Sequence, residues 1–438
     1  MAKRISLISL GCAKNLVNSE QMLYLLNEAG YELTDSPAQS DVVIINTCGF
    51  IDAAKSEAID TILEVAEYKA ANPDLKIVVT GCLTERYRDE VMEEMPEIDA
   101  ISGVGSFDNI VEIVAETLSG QHPSDFGDIN APVTNTPRIV STGPSWAYLR
   151  IAEGCNNYCA FCSIPYIRGK YRSRAMDDIL QEANHLASDG VKEIIVIAQD
   201  ITRYGIDLYG KPQLAELCRK LSQIEGIQWI RLHYLYPEVI DDELIHEIAY
   251  NDKIQKYLDI PIQHINDSIL KKMNRHTNGS EIRQLFTKLR SSIPGLVLRT
   301  SIITGLPGES ENEFEELCEF LNDAKIERVG VFPYSPEEGT PAAKMEYVDQ
   351  EIAKKRADMI LELQSRIMDD FYESKIGESI DVLIEYYSPE EDIWVGRSYM
   401  DSPDIDGLVY VHGDCESGNI CNVNIFDYEN GILIGSVI

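Results

Sequence analysis

The sequence has no apolar run approaching the roughly 20 residues that a membrane helix needs, and it is poor in positive charge. Against 73 Asp and Glu stand only 38 Lys and Arg, a formal net charge of −35. The first absence argues against a spanning segment. The second argues against a phosphate-rich partner, because a surface of this sign repels nucleic-acid backbones and attracts basic proteins. A secretory leader is not expected either. Met1-Ala2-Lys3-Arg4 followed by Ile5–Leu10 has the outline of one, but the apolar part is short, contains serine and runs into Gly11-Cys12 without a small-residue cleavage site. It reads as a first strand, and the expected location is cytoplasmic. Ten cysteines in that setting are not expected to form disulfides, so any clustered subset points to metal or redox duty.

What is present is enough apolar material, 44% of 438 residues, for several cores, and two or three domains are the prior. Up to residue 137, short β-rich runs (Ile5–Leu10, Val42–Asn46, Lys76–Thr80) alternate with amphipathic stretches, which predicts a Rossmann-like parallel sheet of α/β type. Gly120 to Ser145 has linker composition. From 138 to 373 the strand-then-helix beat recurs six times, with strands at Trp146–Ile151, Glu193–Ala198, Gln228–Leu232, Tyr257–Pro261, Leu296–Ile303 and Arg328–Phe332. Six units fall short of the eight of a closed barrel, so a partial, open (β/α)6 barrel is expected, followed by one long helix from Val348 to about Tyr372. Residues 374–438 lose helical period and read as a small antiparallel β-barrel.

Cys155-Asn156-Asn157-Tyr158-Cys159-Ala160-Phe161-Cys162 is the most specific local signal. Three thiolates leave one iron of a [4Fe–4S] cluster without a protein ligand, and a catalytic cluster needs such an open position. A structural zinc site would ask for two CxxC pairs or a nearby fourth ligand, and neither is here. The C-x3-C-x2-C spacing, with an aromatic before the last cysteine, resembles the signature of the radical S-adenosylmethionine (SAM) superfamily. That resemblance implies SAM contacts from Gln199 and Asp200 after the second barrel strand, though the usual Gly-Gly-Glu is absent, and from Arg299, Ser301 and the turn Gly305-Leu306-Pro307-Gly308-Glu309. The basic run Arg168–Arg174 reads equally as a carboxylate holder or a solvated loop.

Cys12, Cys48 and Cys82 are far apart in sequence, yet each follows an apolar strand. Strand C-termini of a parallel sheet emerge at one edge, where ligands bind, so three thiols converge there without a local spacing rule. A second open-site cluster is the economical reading. Cys218 and Cys318 sit at helical spacing among Leu and Phe and read as core; Cys415 and Cys421 carry no assignment.

Together these residues resemble the methylthiotransferase family over essentially the whole chain. Gly11-Cys12-Ala13-Lys14-Asn15, Asn46-Thr47-Cys48-Gly49-Phe50-Ile51 and Gly81-Cys82-Leu83-Thr84-Glu85-Arg86-Tyr87 are similar to the RimO-type branch, which modifies an aspartate of ribosomal protein S-twelve. The resemblance implies an N-terminal methylthiotransferase cluster domain (1–137), a radical SAM domain (138–373) and an OB-like TRAM domain (374–438). It implies two [4Fe–4S] clusters on Cys12, Cys48, Cys82 and on Cys155, Cys159, Cys162. One SAM would donate a methyl group; another would yield the radical that removes hydrogen from the aspartate β-carbon. An external electron donor is required, and a monomer is expected. Beyond the cluster ligands no catalytic residue is assigned.

The tail bears on the partner. From Ser374 onward only Lys375 and Arg397 are basic, amid thirteen acidic residues, which suits a basic ribosomal protein or the small ribosomal subunit better than RNA. The rival readings are a tRNA adenosine methylthiotransferase of the MiaB type and a non-catalytic iron–sulfur electron carrier. Carriers bury clusters under four cysteines each, whereas each set here offers three.

Overall fold

Val42–Thr47 is buried at every position, as a strand must be when both faces of its sheet are covered. In the computed structural model, which describes residues 2–438, this strand lies inside a six-stranded sheet. The order is Glu32–Leu33, Arg4–Ser9, Val42–Thr47, Lys76–Gly81, Ala100–Ser102, Ser124–Asp125, and every neighbouring pair is parallel. Period-two alternation sorts the side chains. Val43, Ile45, Ile77 and Val79 pack with Ala58, Ile62 and Val65 of helix Asp52–Glu67. Val42, Ile44 and Val78 turn the other way, toward Met22 and Leu26 of helix Ala13–Glu28 and Ile110 and Val114 of helix Ile110–Leu118. The same unit includes Ala152–Arg174, which carries the second cysteine triplet, and Ser335–Thr340.

A second unit is made of Thr142–Ile151, Ala175–Tyr334 and Pro341–Ile438. Its six parallel strands stand in chain order: Trp146–Arg150, Glu193–Ile197, Trp229–Leu232, Ile254–Asp259, Val297–Thr304 and Arg328–Pro333. This is the open, partial barrel expected from six strand–helix units. Helix Gln350–Glu373 packs on the last two strands.

The tail closes into a five-stranded barrel, ordered Ser379–Ser388, Ile393–Ser398, Leu408–His412, Ile432–Val437, Ile420–Glu429. Four of its pairings are antiparallel, and Leu408–His412 with Ile432–Val437 is parallel. This refines the antiparallel expectation, since a ring with an odd number of strands cannot alternate direction all the way round. The barrel core is shared: Val382, Ile384, Val409 and Leu433 pack in one cluster with Tyr257, Val297 and Tyr372.

Buried charge ties this small barrel to the larger one. Glu193 is fully buried and accepts from Arg231 Nε at 2.7 Å and from Arg397 Nη2 at 2.7 Å. Arg397 also reaches Glu385 at 2.8 Å. Nearby, Arg328 Nη2 lies 3.0 Å from Asp401, and Tyr257 donates to Asp406 at 2.6 Å.

Candidate metal centre

Parallel register sets the three N-terminal cysteines side by side. Ser9 is opposite Asn46, and Thr47 is opposite Gly81, so the chain leaves all three strands at one level. The turns beyond are held together by Asn15, whose Nδ2 donates to the carbonyls of Leu10 at 2.7 Å, Thr47 at 3.2 Å and Asn46 at 3.3 Å. Asn46 answers by donating to Asn15 O at 2.9 Å and Ser19 Oγ at 2.8 Å. Two glycines let the turns touch. A Cβ on Gly11, which has φ +88°, would stand 2.6 Å from Cys48 Cβ and 3.1 Å from its Sγ. One on Gly49 would stand 2.8 Å from Leu83 N and 2.9 Å from Cys82 C.

The thiols feel one another. Burial first, then the charge of Cys82 and of Cys12, pushes the Cys48 thiol up to about 11. Burial also raises Cys82, against the pull of Arg168. At Cys12 the surrounding protein raises the thiol, but Lys14, Arg168 and the main-chain N–H groups of Asn15 and Lys14 outweigh this and leave it below its ordinary value. A donor set of three mutually sensed thiols with a cation beside them fits an iron–sulfur cluster with one open iron. Among the described residues no three Cys, His, Asp or Glu converge on a single-ion site. Cluster ligation does not ask for that, because each thiolate binds a different iron.

The second triplet lies in the loop after Trp146–Arg150. Ala152–Glu153 pairs antiparallel with Arg172–Ser173, pinching the loop at its base. Cys155 N donates to Gly169 O at 3.1 Å, Cys162 N to Cys159 O at 3.0 Å, and Tyr171 N to Asn156 Oδ1 at 3.0 Å. Cys155 and Cys159 are buried and Cys162 is half-buried.

The basic run after this triplet is not a solvated loop. Arg168 is 3% exposed. Its Nη1 donates to Glu153 Oε2 at 2.9 Å, and its Nη2 to Asn15 Oδ1 at 3.1 Å and to Cys82 Sγ at 3.6 Å. Arg174 is likewise buried and donates to Asn135 Oδ1 at 2.6 Å. The carboxylate that Arg168 holds is the chain's own Glu153, and Asn15, quoted in the sequence only as a neighbour of Cys12, is the side chain to which sequence reasoning gave no role. For Arg168 the available signal was an arginine close behind a cysteine motif in a chain short of positive charge.

The residues expected to hold SAM lie in the second unit. Asp200 is fully buried and turned into its own loop, accepting from Thr202 N at 3.0 Å, from the Thr202 hydroxyl and from Arg203 Nε at 3.1 Å. Gln199 precedes it. Arg299, Ser301 and Ile303 alternate with the buried Thr300 and Ile302, and Arg299 Nη1 pairs with Asp259 at 3.0 Å. Gly305 has φ +79°, and a Cβ there would stand 2.4 Å from Ala353 Cβ of the long helix. Its N–H donates to Glu309 Oε1 at 2.9 Å. Cys218 is fully buried, in keeping with a core role, and Cys318 is half-buried.

Three family models match the chain: Uncharacterized protein family UPF0004 over residues 4–103, Radical SAM superfamily over 149–321, and TRAM domain over 376–438. The chain is 46% identical to a ribosomal protein uS12 methylthiotransferase RimO of Acetivibrio thermocellus, covering 100% of this chain and 99% of the relative. It is 49% identical to a protein of the same name from Clostridium botulinum, covering 99% and 98%. Among solved structures, the radical SAM methyltransferase TsrM from Kitasatospora setae matches with a TM-score of 0.58 at 13% identity, covering 78% of this chain and 77% of that one. The cobalamin-dependent SAM radical enzyme OxsB matches with a TM-score of 0.53 at 13% identity, over 84% and 56%. These structural likenesses speak for the fold.

Proposed function

Because the chain belongs to the RimO family of ribosomal protein uS12 methylthiotransferases, we propose that it attaches a methylthio group to the β-carbon of an aspartate in that protein, the S-twelve of the small subunit. It is a radical SAM enzyme, with [4Fe–4S] clusters and SAM as cofactors. The observation that carries the reading is the grouping of two cysteine triplets in one compact unit, with Arg168 of the second triplet's segment reaching Cys82 of the first.

Cys12, Cys48 and Cys82 would hold one cluster, and Cys155, Cys159 and Cys162 the other. When bound, the clusters and SAM supply the electron, the hydrogen-abstracting radical and the methylated sulfur. The chain's own residues position and shield. Asn15 ties the end of Arg4–Ser9 to that of Val42–Thr47, the glycines let the thiols approach, and burial of Cys155 and Cys159 keeps water away. Gln199, Asp200, Arg299, Ser301 and Gly305 are the proposed SAM contacts. Residues 1–137, 138–373 and 374–438 serve as cluster, radical and docking segments.

The TRAM barrel is the proposed dock for basic uS12. Arg397 is 1% exposed, so of the two basic tail residues only Lys375 reaches the surface, and it pairs with Glu378 at 3.3 Å. An external donor supplies electrons, and the working form is a monomer. Among the described residues no helix is long and apolar enough to cross a membrane, and a cytoplasmic setting beside ribosomes suits the reading. The test is an anaerobic assay with reconstituted protein, SAM, sulfide and a strong reductant, offering uS12 and bulk tRNA separately. Mass spectrometry should find the added methylthio group on an aspartate of uS12. A gain on tRNA adenosine instead would overturn the choice of substrate.

A further inference from the structure

Arg168 is placed to do more than fill space. It comes from the segment of the second triplet, and its backbone is clamped there: Arg168 N donates to Ile164 O at 2.8 Å, and the next residue, Gly169, has φ +73° with Ile129 O 2.6 Å from where a Cβ would be. The side chain is 3% exposed and spends its donors on three kinds of acceptor: the Glu153 carboxylate at 2.9 Å, the Asn15 amide oxygen at 3.1 Å and Cys82 Sγ at 3.6 Å. Glu153 lies two residues before Cys155, and Asn15 three after Cys12. One guanidinium therefore touches a carboxylate beside one triplet, and both an amide and a thiol of the other.

A buried cation that donates to a cluster sulfur stabilises the more negative, reduced cluster, whose potential is set by local charge and by hydrogen bonds to sulfur. The effect is large where water is excluded, because Coulomb interactions there are weakly screened. Glu153 works against it by neutralising the cation from behind.

We propose that Arg168 is a positioning residue that raises the reduction potential of the cluster on Cys12, Cys48 and Cys82, and that Glu153 sets how far. This rests on the proposed ligand assignment. It predicts opposite signs at two neighbouring positions. Arg168→Gln keeps a donor but removes the charge, and should move the potential of this cluster to a more negative value. Glu153→Gln leaves the cation unopposed and should move it to a more positive one. Arg168→Lys should restore part of the wild-type value. A residue that merely packed would give no such pattern of signs.

The test is potentiometric titration of the reconstituted full-length protein, followed by electron paramagnetic resonance. The signal of this cluster is assigned by its survival in a Cys155→Ala, Cys159→Ala, Cys162→Ala variant. Opposite shifts support the proposal; equal potentials in all variants, or shifts of one sign, overturn it. If Arg168→Gln does not fold, the positive shift in Glu153→Gln decides. The ligand assignment is checked separately: Cys12→Ala should lower iron per chain. If iron is unchanged, the assignment itself fails; if iron falls but the potentials do not move, only the role of Arg168 fails.

Discussion

A Cβ on Gly11 would stand 2.6 Å from the Cβ of Cys48. Two strand-end turns that touch in this way cannot accept even a methyl group between them, and Gly11 also has φ +88°, which side chains rarely adopt. Gly11→Ala should therefore separate Cys48 from Cys12 at a cost of about 1–3 kcal/mol. Iron and labile sulfide per chain should fall to the content of one cluster, while the sites on Cys155, Cys159 and Cys162 stay filled. Full iron content with an unchanged unfolding midpoint would show that the three turns need not meet this closely.

The placement of the cysteines was legible because it follows from topology: strands that alternate with helices are parallel, and a cysteine just past each strand must surface at the same edge. The inward turn of Arg168 was not legible. Its partners Glu153 and Asn15 lie 15 and 153 residues away, and nothing local distinguishes a buried arginine from one on a solvated loop. Arg397 escaped for the same reason, since Glu193 is 204 positions from it. Glu32–Leu33 and Ser124–Asp125 were missed because two residues carry no periodic signal.

Glu193 gives a pH prediction with a definite sign. Burial raises its carboxyl, but Arg231 and Arg397 outweigh this and hold it below the ordinary glutamate range. A carboxyl lowered by folding contributes stability that is complete above its unfolded value, about 4.3, and is lost as pH falls through the folded one. Glu193→Gln leaves two buried guanidiniums short of a counter-charge, at a cost of about 3–5 kcal/mol near neutrality. Urea unfolding at pH 7 and at pH 3.5 should show the gap between wild type and variant narrowing in acid. A gap that does not change with pH would mean the carboxylate charge is not what matters.

Gly305 is a proposed SAM contact, and the structure sets it against Ala353 of helix Gln350–Glu373. Gly305→Ala should destabilise by about 1–3 kcal/mol through the clash with Ala353. Ala353→Gly in the same chain should recover part of the loss, leaving the strain of φ +79°. Chemical unfolding of the four members of this cycle measures the coupling. Additive effects would place the strain elsewhere, and weakened SAM binding in Gly305→Ala with unchanged stability would leave the SAM-binding role alone.

The acidic tail predicts a salt-dependent encounter with a basic protein. Tyr386 and Tyr387 are exposed on the hairpin that continues into exposed Glu390, Glu391 and Asp392, while the one arginine of the tail is buried. The Tyr387 hydroxyl donates to Asp392, and an asparagine there can still accept that bond. Combined Glu390→Gln, Glu391→Gln and Asp392→Asn should thus leave the barrel folded and change mainly its charge. Association with uS12 should weaken on the order of tenfold at low ionic strength, mostly through the on-rate, and the difference should fade in high salt. Surface plasmon resonance across a salt series measures both. Unchanged low-salt binding would move the docking surface off this hairpin, because an exposed charge that steers a partner cannot be removed without slowing the encounter.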